Sequence, residues 1–209
     1  MTPQTTADLS DILRAADAPL RIVGGESRGI APNAGATLQT AGLAGLKAYQ
    51  PGALTMVAGA GTSLHEVEDT LAAQGQRLAF EPMCYHKILG GQKSSTIGGV
   101  FAANISGSRR IQAGAARDFL LGIECVDGQG QVIRNGGRVM KNVTGYDLVK
   151  LLSGSCGTLG VLSEVAFKVL PASETETTFV LQGLDSQQAV KAMTGSLSNP
   201  YDVSGAAYD

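Results

Sequence analysis

Side chains with chemistry of their own are sparse in this chain. Two histidines (His65, His86) and three cysteines (Cys84, Cys125, Cys156) are all it carries, and no nucleophile sits beside a base at a useful spacing. The cysteines are odd in number and form no CxxC, so neither a disulfide framework nor a zinc or iron–sulfur site is encoded, and no metal site is predicted. Glycine is abundant instead, with 28 in 209 residues, about twice the usual ~7% share. The most informative stretch runs from Lys141 to Pro171. It reads as a turn, a short helix over about 146–152, a loop with Gly154, Gly157 and Gly160, and an apolar strand ending at the proline. Glycines so spaced let a ligand or another strand approach the backbone closely. The chemistry predicted is the holding of something flat or phosphorylated, with any reaction left to a bound cofactor; no catalytic residue is assigned.

Other clusters fit that theme. Gly24-Gly-Glu-Ser-Arg-Gly29 follows a strand, but Ile30-Ala-Pro-Asn-Ala-Gly35 cannot begin the helix that a dinucleotide fingerprint needs. A main-chain nest for a diphosphate and a plain tight turn both remain open there. Gly59-Ala-Gly61-Thr-Ser-Leu64 lacks the third glycine and the lysine of a phosphate loop and reads as a turn plus helix cap. Thr96-Ile-Gly98-Gly99 with Asn104-Ile-Ser106-Gly107 offers a smooth face for a planar ring, or a closely packed buried helix. Arg109, Arg110 and Arg117 suit a carboxylate substrate, a cofactor phosphate, a partner, or a solvated surface with an ion pair to Asp118. Tyr146 belongs beside a ring or in the core, and Lys141 and Asp147 flank a turn.

The elements that must position these residues follow from periodicity. An amphipathic helix spans 6–16, with Thr6 as N-cap and Pro19 closing it, then a strand spans 19–23. A strand over 54–58 leads into a helix that opens with the capping box Ser63-Leu-His-Glu66, buries Leu64, Val67 and Leu71, and is C-capped by Gly75. A short strand over 77–80, a buried helix from Ile97 and a hairpin of 119–126 with 132–134 about Asp127-Gly-Gln-Gly130 come next. Strands outnumber helices after residue 115, so the class is α+β rather than doubly wound. Beyond Pro171 the pattern restarts as strand 177–184, helix 186–197 and the start of a strand over 203–208, the incomplete beginning of a second domain covering 173–209.

Apolar residues make up 44%, charged residues 16%, and the formal charge is −2, which gives no reason to expect nucleic acid or an anionic membrane as partner. The N-terminus has no apolar signal region and no apolar run approaches ~18 residues. A cytoplasmic protein without a transmembrane segment is predicted, membrane-associated only through partners.

Taken in order, Gly24 to Gly29, Glu81-Pro82, Thr96-Ile-Gly-Gly99, Ser106-Gly-Ser-Arg-Arg110, Arg117-Asp-Phe-Leu-Leu-Gly122, Lys141-Asn-Val-Thr-Gly-Tyr-Asp147 and Gly157-Thr-Leu-Gly-Val161 resemble the FAD-binding domain of the vanillyl-alcohol oxidase/p-cresol methylhydroxylase (PCMH) type. Within it the chain is most similar to the flavin-binding components of glycolate oxidase, those of the GlcE type above all. The resemblance covers about residues 1–172 and implies two α+β subdomains with FAD between them, changing near 55–60, before a C-terminal cap that begins at 173. It implies that Gly24, Gly25, Glu26, Ser27, Arg28 and Gly29 wrap the diphosphate. Glu81 and Pro82 fall in the same cofactor set. Ser95, Thr96, Gly98 and Gly99 would lie by the diphosphate and ring, with Asn104, Ser106, Gly107 and Tyr146 beyond them, and Gly160 and Val161 at the adenine. The first loop lacks the histidine of covalent members, so the flavin is expected to be non-covalent. His86 is the loop histidine that could reach the site, and His65 is expected on the solvent side of its helix. The implied activity is oxidation of a short 2-hydroxy acid of the glycolate type, in a complex with a paralogous flavin subunit and an iron–sulfur subunit; the alternative is an assembly subunit that keeps the fold without catalysis.

Overall fold

The computed structural model describes residues 1–28, 35–89, 94–137, 145–201 and 203–209, with the side chains of His86 and Lys87 excepted. Two compact units divide the chain, Met1–Ala172 and Ser173–Asp209.

The first unit opens with α1 (Thr6–Ala15), which buries Leu9 and Leu13. Its cap is Thr5 rather than the expected Thr6: the Thr5 hydroxyl accepts from Asp8 N–H at 3.1 Å and Asp8 accepts from Thr5 N–H at 3.0 Å. Thr6 is committed elsewhere, donating to Glu124 at 2.6 Å. Strands β1 (Leu20–Val23) and β2 (Ala36–Gln39) form a parallel pair in full register. Next come β3 (Leu46–Gln50), β4 (Thr55–Gly59), α2 (Leu64–Ala72), β5 (Gln76–Arg77) and α3 (Tyr85–Leu89). The rest of the unit is α4 (Ile97–Ala102), α5 (Arg110–Ala113), α6 (Ala116–Phe119), β6 (Leu120–Val126), β7 (Val132–Gly136), α7 (Leu148–Leu152), β8 (Val161–Lys168) and β9 (Leu170–Pro171).

The main sheet has the order β3-β4-β8-β6-β7, antiparallel throughout. Antiparallel pairing with separately placed helices is the α+β class the sequence predicts. Residues 55–59, near which the resemblance places a subdomain change, form β4, paired on both sides within this sheet. The apolar run of β8 is explained by burial on both faces. One face meets α2 and α4 in a core holding Leu64, Val67, Leu71 and a chain of tilted aromatic pairs, Phe119–Phe80–Phe101–Phe167, with centroids 5.3–5.5 Å apart. On the other, Val126 and Val161 pack with Leu9, Leu13, Leu38 and Leu43.

Several local expectations change. Ser63 precedes α2 without capping it; its hydroxyl lies 3.3 Å from that of Ser94, and Leu64 N–H donates to Ser95 O at 2.9 Å. The loop at 94–96 has displaced the capping box. The α2 C-cap is Ala73, and Gly75 takes φ +61° two residues later. The strand expected over 77–80 is limited to β5, because β9 offers only Leu170 and Pro171 as partners.

The second unit holds α8 (Ser186–Leu197), with the capping box Asp185/Gln188. Residues 177–184 and 203–208, expected as strands, form none and are mostly exposed. No strand pairs with them, and an isolated strand leaves its ladder groups unbonded.

Candidate functional site

Three loops from separate parts of the first unit meet at one cleft. The turn after β1 supplies Gly24 to Arg28, the entry to α4 supplies Ser95, Thr96, Gly98 and Gly99, and the loop after α7 supplies Cys156 and Gly157, followed by Val161 of β8. Glycine is what allows the approach. A Cβ at Gly25 would stand 1.6 Å from Ser94 O, and one at Gly98 would meet Ala60 Cβ at 2.5 Å and Ala60 O at 2.6 Å. Where those side chains are missing, hydroxyls fill the seam: Ser27 and Ser95 lie 2.8 Å apart, and the Thr96 hydroxyl accepts from Gly99 N–H at 3.3 Å. Thr40, on the cleft wall, donates to Val23 O at 3.3 Å. The third loop is tied to α4 by Ser153 Oγ to Phe101 O (3.0 Å) and Cys156 N–H to Ala102 O (2.8 Å).

Left-handed backbone is concentrated nearby. Four of the five described non-glycine residues with positive φ are Glu26, Glu81, Asn104 and Cys156; Glu26 and Cys156 line the cleft itself, and such strain gathers at ligand sites. Glu26 pairs with Arg21. Among the described side chains the lining therefore offers hydroxyls, main chain and the single guanidinium of Arg28, together with Ile22, Val23, Met83, Tyr85, Ile105 and Leu162. Donors with one cation suit a diphosphate and the apolar wall suits a flat ring, so the residues present fit FAD.

Ten sequence-derived positions meet at this cleft: Gly24, Gly25, Glu26, Ser27, Arg28, Ser95, Thr96, Gly98, Gly99 and Val161. Gly29 and the turn at Lys141–Thr144 lie outside the described residues, as does the side chain of His86. The others stand outside the lining. Glu81 holds two arginines: Arg109 Nε donates to it at 3.1 Å, a second Arg109 contact is closer still, and Arg77 Nη1 donates at 3.0 Å. That pairing, rather than Asp118, occupies Arg109. Gly107 permits it, since a Cβ there would stand 2.4 Å from Glu81 O; Pro82 follows in the same turn. Asn104 accepts from Arg117 N–H at 2.9 Å and Ser106 from Ala116 N–H at 2.9 Å, so both brace the chain behind the cleft. Gly160 is buried, and a Cβ there would stand 3.2 Å from Val126 O. Tyr146 is 88% exposed, neither in the core nor in the cleft lining. Asp147 caps α7 through Lys150 N–H at 3.0 Å. His65 is exposed, 3.3 Å from Asp69, on the solvent side as expected.

The sequence did not flag Thr40, Met83, Tyr85 or Cys156 for this cleft. Cys156 adjoins the Gly157–Val161 run, which was the available signal. Cys125 is buried in the core instead, where burial, then the charges of Asp127 and Glu124, push its thiol up to about 11. Among the described residues no three His, Cys, Asp or Glu side chains gather as a metal site, and no helix is long and apolar enough to cross a membrane.

Residues 1–136 match the model of a FAD binding domain. The chain is 37% identical over 192 residues to "Glycolate oxidase subunit GlcE" of Escherichia coli K12, covering 91% of this chain and 53% of that protein. It is 34% identical over 125 residues to "D-lactate dehydrogenase" of Archaeoglobus fulgidus, covering 60% and 26%. A solved structure of alkyldihydroxyacetonephosphate synthase superposes with a TM-score of 0.65 at 20% identity, over 84% of this chain and 32% of that one, which bears on the fold alone. The chain thus spans about half, or less, of the length of these relatives.

Proposed function

We propose that this chain, which belongs to the FAD binding domain family and has FAD as its cofactor, is the cofactor-holding part of an oxidoreductase acting on short 2-hydroxy acids of the glycolate or lactate class. The observation that carries the proposal is the convergence of the Gly24–Arg28, Ser95–Gly99 and Cys156–Val161 segments on one cleft, in a chain whose similarity to a glycolate oxidase subunit runs through 91% of its length. Bound FAD supplies a two-electron acceptor for the hydride on the hydroxyl-bearing carbon. The residues of this chain grip and orient: Arg28 and the hydroxyls of Ser27, Ser95 and Thr96 take the diphosphate, and Val161 with the buried Gly160 bounds the adenine end. The linkage is non-covalent, and the chain hands electrons to partner subunits, an iron–sulfur protein among them.

A second reading, an assembly subunit that retains FAD without turnover, is favoured by one feature. Among the described side chains, the cleft is lined by no histidine, and its one carboxylate, Glu26, is paired with Arg21, which leaves no evident base. Anaerobic addition of glycolate or D-lactate to the FAD-loaded chain together with its partner subunits separates the two. Bleaching of the flavin absorption supports turnover; an unbleached flavin with both acids rejects the catalytic reading and leaves FAD binding intact.

A further inference from the structure

Glu81 stands outside the cleft lining, yet it joins two segments that line it. Met83 and Tyr85 follow it closely in the chain, and Ile105 precedes the loop that carries Gly107 and Arg109; all three line the cleft. Ile105 is fixed by its own neighbours, its N–H donating to Val100 O of α4 at 2.9 Å. The segment bearing Met83 and Tyr85 is held from behind. Arg109 Nε donates to one Glu81 carboxylate oxygen at 3.1 Å and Arg109 Nη2 to the other, while Arg77 of β5 donates at 3.0 Å. A two-pronged guanidinium contact fixes direction as well as distance, and the Arg109 side chain is only 14% exposed. The main chain repeats the tie, with Gly107 N–H donating to Phe80 O at 2.9 Å. Glu81 itself holds φ +46°, a left-handed state that a non-glycine residue keeps only where its surroundings impose it. The turn so formed is closed by Glu81 N–H to Leu78 O at 3.1 Å, and Met83 enters the cleft wall from it.

We infer that Glu81 is a positioning residue: held by Arg77 and Arg109, it sets the wall of Met83 and Tyr85 against Ile105 and so shapes the part of the cleft that takes the isoalloxazine ring. The inference rests on the FAD reading above and deepens it. The diphosphate donors of that reading ride on the turn after β1 and on the entry to α4, whereas the bonds of the Glu81 side chain run to Arg77 and Arg109. Both arginines stand outside the lining and serve the ligand as scaffold. A flat ring gains from a thioether, an aromatic side chain and an aliphatic one only when they stand at contact distance. Loosening the clamp therefore costs the ring its wall and leaves the diphosphate its donors.

The test is equilibrium titration of the folded chain with FAD and with ADP, together with the visible circular dichroism of the bound flavin, comparing wild type with Glu81→Gln, G107A and R109K. E81Q keeps the size of the side chain and gives up the charge that both arginines share. G107A reaches the same turn from the opposite side, since its Cβ would stand 2.4 Å from Glu81 O. Both should weaken FAD binding by about tenfold, change the dichroism of the bound flavin and leave ADP as in wild type. R109K, which keeps a cation without the fork, should show the same changes at smaller size. Wild-type FAD affinity and dichroism in folded E81Q overturn the inference and leave Glu81 a purely structural residue. An equal loss of ADP binding also overturns it, since the clamp would then hold the whole cleft, and so does tighter ADP binding, which would mean arginines released toward phosphate. If E81Q fails to fold, R109K decides by the same comparison. Wild-type protein that binds neither FAD nor ADP defeats the FAD reading itself, whereas normal binding by wild type with indifferent variants defeats only the positioning role.

Discussion

Replacing Gly25 with alanine should separate the two loops that grip the cofactor. The new Cβ would lie 1.6 Å from Ser94 O, 2.8 Å from Ser94 C and 3.3 Å from Ser95 Cα. All three are backbone atoms, so no side-chain rotation relieves the clash. Ordinary contact begins at 3.4 Å, which requires the loops to part by roughly 1.8 Å if neither backbone refolds. That movement breaks the 2.8 Å hydrogen bond between Ser27 and Ser95, a loss of about 1 kcal/mol, on top of about 1–3 kcal/mol of overpacking. Because the donors to the diphosphate sit on both loops, the strain should appear in binding: FAD affinity falls by at least about tenfold, and by about a hundredfold if ~3 kcal/mol is expressed there. Gly52→Ala is the control, since a Cβ there meets nothing within 4 Å and Gly52 does not take positive φ. Flavin fluorescence titration reads affinity and urea unfolding reads stability. Wild-type FAD affinity in G25A would refute the reasoning, because the loops could then part without consequence for the site.

Three other perturbations test neighbouring parts of the account. Glu81→Ala removes the acceptor that Arg77 and Arg109 share; the expected cost is about 2 kcal/mol, seen as a lower urea midpoint, and an unchanged midpoint contradicts the clamp. Burial pushes the Glu124 carboxyl up, but hydrogen bonds from Thr6, Ser163 and Arg134, with Arg134's charge, outweigh it and hold the group below its usual 4.5. A depressed carboxylate contributes stability that is present above its unfolded pKa and lost as pH falls through the folded one. Stability should therefore drop on acidification below about 4.5, and the drop should be shallower in E124Q; parallel acid limbs for the two proteins would count against this. Alkylation at mildly alkaline pH should label exposed Cys156 and spare Cys125, whose thiol stays protonated up to about 11, and FAD should slow the Cys156 reaction, since that residue lines the cleft. Labelling that FAD leaves untouched argues against this placement of the cofactor.

How far the sequence reveals this depends on the range of the interaction that decides each feature. The helix expected over 186–197 appears as α8 because what opens it is local, the capping box of Asp185 and Gln188 being complete within four residues. The same pattern misleads at Ser63, where the hydroxyl and the next N–H are taken by Ser94 and Ser95, some thirty residues away in the chain. Thr5 rather than Thr6 caps α1 for a like reason, the Thr6 hydroxyl being drawn to Glu124 across 118 residues. Strands β2 and β3, short and partly polar, carry too little alternation to be read locally. At the site, glycines forecast close backbone approach, and Gly24, Gly25, Gly98 and Gly99 are where it occurs. Glu81 was legible as part of a motif but not in its role, because its two arginine partners come from separate segments.

Everything proposed for this cleft depends on the turn after β1 holding the cofactor's diphosphate. A crystal structure of the FAD-loaded chain tests it directly. Diphosphate oxygens should lie within hydrogen-bonding distance of the Gly24–Arg28 main chain and of the Ser27, Ser95 or Thr96 hydroxyls, with the adenine beside Gly160 and Val161. A diphosphate bound anywhere else, for instance in the outer groove between Arg117 and Lys150, would contradict it.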